Sequence, residues 1–203
     1  TYFVEPDRQN KTFKNRIKAC SFTSLDEIQE AFSVEPLNKE FYQDIVKYFF
    51  ELISGKYKTG SKTITVEKPL LQLPSTPYVG NQTLYKEFAV RLIGRTIFCW
   101  FLKNKKSSSG MPLIPDSWLS SSSITELQNG YYHLILERLF FLVLNKKIED
   151  REGLDLPDFS DTVPFLNGGL FEPLLGDFFH KNKANYALVI PDSWFKDLFS
   201  TLE

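Results

Sequence analysis

Asn81 to Lys105 reads NQTLYKEFAVRLIGRTIFCWFLKNK, twenty-five residues without proline. That length and apolar spacing predict the longest helix of the chain. Glu87, Arg91 and Arg95 fall on one strip at four-residue spacing, which suits ion pairing along a helix face. Ile97 to Leu102 is almost wholly apolar, so this half is expected to be buried on most sides. The helix exits into Lys103-Asn104-Lys105-Lys106 and then a Ser/Gly loop at 107–110.

Working outward, Tyr131 to Leu144 is apolar nearly all round, broken by His133, Glu137 and Arg138, and exits into Lys146-Lys147. Two central helices, 82–105 and 124–146, are therefore expected to form an antiparallel centre. Ser24 to Glu27 and Ser123 to Glu126 have capping-box spacing. Phe41, Ile45, Phe49, Leu52 and Ile53 repeat with helical spacing, and Gly55 is a plausible stop. The predicted helices are 24–33, 38–54, 82–105, 124–146, 174–182 and 192–202. Tyr2-Phe3-Val4, Thr63-Ile64-Thr65-Val66 and Ala187 to Ile190 are the strand candidates. The expected fold is mainly α, an irregular helical bundle with a minor β element at its edges. Residues 56–80 form a long connection of unassigned role.

The pentapeptide Ile-Pro-Asp-Ser-Trp occurs twice, at Ile114–Trp118 and Ile190–Trp194. Asp116 and Asp192 are read as N-caps of the helices that follow them. Between Thr162 and Pro173 lies TVPFLNGGLFEP, in which Asn167, Gly168 and Gly169 form a structural turn between apolar arms. Glycine and asparagine supply the positive φ angles such a turn asks for.

Composition sets limits on function. Of 203 residues, 42% are hydrophobic and 15% aromatic, enough for a substantial core. Twenty-four basic residues face twenty-five acidic ones, a net charge of −1, so the basic surplus of a self-sufficient DNA-binding domain is missing. Any nucleic-acid contact must come from a local patch. The lysines at the ends of the two central helices are Lys103, Lys105, Lys106, Lys146 and Lys147. They either complement the helix macrodipole and stay solvated or form a phosphate-facing patch, the candidate contact with a DNA backbone. Two cysteines, Cys20 and Cys99, make no disulfide framework, and a reducing cytoplasm is the default. His133 and His180 have no cysteine at ligand spacing, so no metal site is assigned. No apolar run reaches the roughly 18 residues that a membrane span needs. The chain begins at Thr1, has Met111 as its one methionine and ends inside a helical pattern. It is expected to be a piece of a longer protein, with 1–9 the tail of a preceding domain and 10–203 a helical connector.

The residues of several chemistries are missing. No Gly-rich turn or Pro-Pro-aromatic loop equips the chain for methyl transfer to an amine, and no P-loop or Gly-x-Ser-x-Gly elbow occurs. Glu67-Lys68 lacks the acid-x-Lys spacing of metal-dependent nucleases. No catalytic, cofactor-binding or metal residue is therefore nominated.

Four stretches in fixed order carry a resemblance: Glu30 to Tyr42, Arg91 to Lys103, Tyr131 to Asn145, and Val163 to Glu172 followed by Val189 to Asp192 and Phe195. Together they resemble the type IIG restriction-modification enzymes and related adenine-specific DNA methyltransferases. In that family the pattern looks like the helical segment between a nuclease-like region and the methyltransferase domain. The resemblance implies a parent that carries a methyl group from S-adenosylmethionine to the N6 amine of adenine in double-stranded DNA. It also allows for cleavage of DNA with magnesium. The cofactor turn and catalytic loop would then lie beyond Glu203, so no family catalytic residue maps onto this chain. The rival readings are a standalone helical protein-interaction module without a nucleic-acid role, and a small nuclease or transferase active alone.

Overall fold

The structure is a computed structural model. It describes residues 34–203 apart from 76, 108–109, 125–129, 155, 157–159, 167–168 and 182–183, with side chains described from Phe41 onward. The expected helix at 24–33 and the tail at 1–9 lie outside the described residues.

Helix α1 runs from Val34 to Ile53. It starts four residues before the expected Asn38 because Pro36 sits in its first turn, where a helix makes no use of the missing N–H. Tyr48, Leu52 and Ile53 are buried, whereas Phe41, expected in the same apolar stripe, is exposed. Ser54, in the left-handed conformation (φ 59°), ends the helix. A hairpin follows, β1 (Gly55–Thr59) and β2 (Lys62–Val66), paired antiparallel with Tyr57 opposite Ile64. Gly60 (φ 58°) takes the first of two loop positions, where a type II′ hairpin turn asks for glycine. The chain then returns to α1, and the Leu70 and Leu71 N–H groups satisfy the last-turn carbonyls of Glu51 and Leu52 at 3.0 and 3.1 Å. The strand expected at 187–190 is reduced to one antiparallel bridge between Gln72 and Val189.

Helix α2 (Gln82–Lys103) matches its sequence reading closely. Its apolar second half is less enclosed than expected: Cys99 is buried, but Phe98 and Phe101 are exposed. The second central helix, α3, covers 131–144 rather than 124–146 and is mostly π-helical, over Tyr132–Leu136 and Leu139–Leu144. The capping box expected at Ser123 to Glu126 falls partly on 125–129, outside the described residues. Phe88 of α2 meets Tyr132 with ring centroids 6.2 Å apart, and the Arg95 guanidinium lies 4.9 Å from the Phe141 ring centroid. These two contacts pack α3 against α2.

Where a helix was expected over 174–182, the described residues form a single 3-10 turn, Leu175–Asp177. Helix α4 (Asp192–Leu202) closes the fold and buries Trp194, Phe195, Leu198 and Phe199. The Trp194 ring stands edge-on to Tyr48 of α1 at 5.9 Å, and its Nε1–H donates to the Tyr48 carbonyl at 3.2 Å. Tyr131 of α3 packs on Phe195 and Phe199. The core is thus an aromatic contact zone shared by the four helices, with the hairpin as a minor β element. Among the described residues no helix is long and apolar enough to cross a membrane.

Candidate functional site

Three buried polar assemblies hold the helices in place. The first joins α2 to the turn after the Gly-rich segment. Arg91 Nε donates to Asp177 Oδ1 at 2.9 Å, and Arg95 Nη2 donates to Asp177 Oδ2 at 3.0 Å. Arg95 also donates to the backbone carbonyls of Leu170 and Glu172, at 2.7 and 3.2 Å. Burial alone would push the Asp177 carboxyl up; the bonds from Arg95, the Leu174 N–H and Arg91 outweigh it and hold the carboxyl below its ordinary range. The arginine strip read from the sequence therefore has Asp177 as its main partner, while Glu87 lies 4.0 Å from Arg91 with its side chain mostly exposed.

The second assembly ties α3 to the segment before α4. His133 Nδ1 lies 3.0 Å from Glu137 Oε2, and Nε2 lies 2.9 Å from the Leu188 carbonyl. A carbonyl can only accept, so Nε2 carries a proton, and a proton on Nδ1 as well makes the ring a cation facing the Glu137 carboxyl. Burial opposes that charge, but the bonds to Glu137 and Leu188 more than offset it and raise the His133 pKa above its usual value.

The third assembly is Arg151, which the sequence reading passed over. Its guanidinium donates to the carbonyls of Val143, Lys146, Ser160 and Val163 at 2.6 to 3.1 Å. Val143 and Lys146 mark the end of α3, so Arg151 places a positive charge where the helix macrodipole is negative. The Leu166 N–H takes the neighbouring Leu144 carbonyl at 2.9 Å. At the other end, the Asp192 Oδ1 accepts from the Tyr131 N–H at 3.0 Å. Asp192 was read as the N-cap of its own helix. It lies inside the first turn of α4, after Pro191, and caps α3 instead. Asp116 likewise sits within its 3-10 turn rather than before it, and bonds Lys103 Nζ at 2.9 Å.

Of the five lysines nominated for DNA, Lys103 is turned inward. Its ammonium contacts Asp116 and the Leu119 carbonyl, and its side chain is 6% exposed, so it is spent on the fold. Lys105, Lys106 and Lys147 are exposed and Lys146 is half-buried. Asn167 and Gly168 lie outside the described residues. Gly169 opens the 3-10 turn Gly169–Phe171, is exposed, and a Cβ there would meet nothing within 4 Å. The burial expected around this turn is found at Val163 and Phe171 instead. The Cys99 thiol is pushed well up by burial, which removes it as a reactive nucleophile.

What these groups form is a set of internal braces, each long side chain ending on backbone carbonyls or on an opposite charge. The chain is 31% identical over 148 residues to a protein of Methanocaldococcus jannaschii named "Putative type II restriction enzyme and methyltransferase". The match covers 68% of this chain and 12% of that relative, so the chain corresponds to a small part of a much longer protein. No family model matches the chain, and no solved structure does.

Proposed function

We propose that this chain is a non-catalytic helical connector of a DNA restriction-modification protein, of the type IIG or adenine-specific methyltransferase kind. The observation that carries this is the likeness over 148 residues to a relative bearing a restriction enzyme and methyltransferase name. The inward use of the buried charges supports the non-catalytic part, because Asp177, His133, Glu137 and Arg151 spend their hydrogen-bonding groups on the fold. In this reading 10–203 braces a methyltransferase domain against a nuclease-like one in the cytoplasm. The parent uses S-adenosylmethionine to methylate adenine in duplex DNA and uses magnesium if it also cleaves. Lys105, Lys106, Lys146 and Lys147 add contacts to the DNA backbone, which position a protein without reading sequence.

The reading frame of the gene tests the parent. Continuation past Glu203 into a Gly-rich turn and a Pro-Pro-aromatic loop is expected, and a stop codon close to Glu203 would sink the proposal. Charge reversal of the four lysines in the full polypeptide tests the contact. It should weaken DNA binding and flatten its salt dependence; unchanged affinity and slope would remove that part of the reading.

A further inference from the structure

The β1–β2 hairpin has no role in any of the assemblies above. From Gly55 to Lys68 it carries four lysines, at 56, 58, 62 and 68, against one acid, Glu67, within a chain whose total charge is −1. The register pairs Lys56 with Thr65 and Lys58 with Thr63. Successive side chains on a strand point to opposite faces, so Lys56, Lys58, Thr63 and Thr65 share one face, while Tyr57 and Ile64 share the other. All four residues of the lysine face are exposed. Neither lysine pairs with a carboxylate among the described residues.

The other face is fixed to the protein through Tyr57, while Ile64 stays exposed. Tyr57 stacks on Phe50 of α1 with centroids 5.6 Å apart and planes within 10°. Gly55 makes this approach feasible, because a Cβ there would lie 2.8 Å from the Phe50 ring. With Tyr57 anchored, the lysines and threonines are held on the face turned away from α1. Lysines two apart on a strand are separated by about 7 Å, comparable to the distance between successive phosphates on one DNA strand. Threonine hydroxyls directly across from them can donate to the same phosphate oxygens.

We infer that this ribbon face, Lys56, Lys58, Thr63 and Thr65, lies against the phosphate backbone of duplex DNA. The inference rests on the reading of the parent as a DNA-acting protein, and adds a contact surface separate from the helix-end lysines. The ribbon is a backbone clamp: two ammonium point charges and two hydroxyls that hold the duplex without base readout. The competing explanation is that lysines merely keep a short exposed hairpin from pairing with another chain. Such protection would be indifferent to DNA.

The test is duplex-DNA affinity of the full polypeptide as a function of salt, for the unaltered protein and for Lys56→Gln/Lys58→Gln. Loss of two phosphate contacts should flatten the slope of log K against log salt by about 1.8, at ~0.9 per phosphate. The affinity gap between the two proteins should then narrow about tenfold from 50 to 200 mM salt. Lys56→Arg/Lys58→Arg should keep the original slope. If the unaltered protein binds and the glutamine variant binds with the same affinity and slope, the ribbon inference fails while the DNA reading stands. The same holds if the variant aggregates but binds unchanged, which would assign the lysines to edge protection. If the unaltered protein does not bind duplex DNA at low salt, both fail.

Discussion

Arg95 Nη2 reaches Asp177 Oδ2 at 3.0 Å, eighty-two positions along the chain, with both side chains almost wholly excluded from water. Two arginines converge on one carboxylate, so the charge left by removing Asp177 is larger than that of an ordinary ion pair. Asp177→Ala should therefore destabilise the fold by about 3 to 5 kcal/mol, read from urea unfolding. The double replacement Arg95→Met/Asp177→Leu should cost less than the sum of its single changes, because the deeply buried Arg95 is then not stranded and only the partly exposed Arg91 loses its carboxylate. Additive costs would show that the pair is not energetically coupled.

Arg151 offers a second test of the same kind. Its five donors are divided among four carbonyls that water does not reach easily. Arg151→Met leaves those acceptors unmade and should cost about 3 kcal/mol. Arg151→Lys should recover only a fraction, since a single ammonium cannot span the fork of a guanidinium. Equal stability for the arginine and lysine proteins would contradict this role.

The pH dependence of stability separates the two ionised clusters. His133 has its pKa raised in the folded protein, so its contribution is fully present below the unfolded value, near 6.5, and is lost as pH rises through the folded pKa. The stability gap between the unaltered protein and His133→Gln should accordingly shrink on going from pH 6 toward alkaline pH. Asp177 is depressed, so its contribution is present above the unfolded value of about 3.8 and disappears as pH falls through the folded pKa. A His133→Gln gap that widens with rising pH would rule out the imidazolium.

The repeated pentapeptide predicts unequal consequences from equal sequences. Asp192 is buried and caps α3 from another helix, so Asp192→Ala should cost about 1 to 2 kcal/mol. The Asp116 side chain is 77% exposed against Lys103, and Asp116→Ala should cost under about 1 kcal/mol. Thermal melting of the two variants distinguishes them, and matching shifts would mean that the motif acts locally at both sites.

Local signals in the sequence carried over where the structure is local. Helix 82–105 is legible because long apolar periodicity and an uninterrupted run decide it, and 192–202 because its start and spacing agree. The Arg91 and Arg95 strip was legible as a line of charge, but its partner Asp177 is far along the chain and has no sequence mark. The same tertiary bonds replace the helix expected at 174–182: Asp177 is held by two arginines and accepts the Leu174 N–H, which closes a single turn. Phe178 then adopts the left-handed conformation (φ 54°), where a helix cannot continue. The π-helical winding of α3 left no trace in the residue pattern. Nor did β1, whose lysines and glycine read as loop although Thr63 to Val66 gave away its partner strand. Of the candidate DNA contacts, Lys103 is drawn inward by Asp116, an acceptor that comes to it across a turn.

That the buried polar groups are framework rather than chemistry is tested most directly by methyl transfer from S-adenosylmethionine to duplex DNA. The full polypeptide would be compared with its His133→Gln/Glu137→Gln form, which alters the one buried acid-base pair of α3. The predicted result is a lower melting temperature with kcat per folded molecule within about twofold of the original. A loss of a hundredfold or more in a protein that remains folded, the scale of a missing general acid or base, would contradict it.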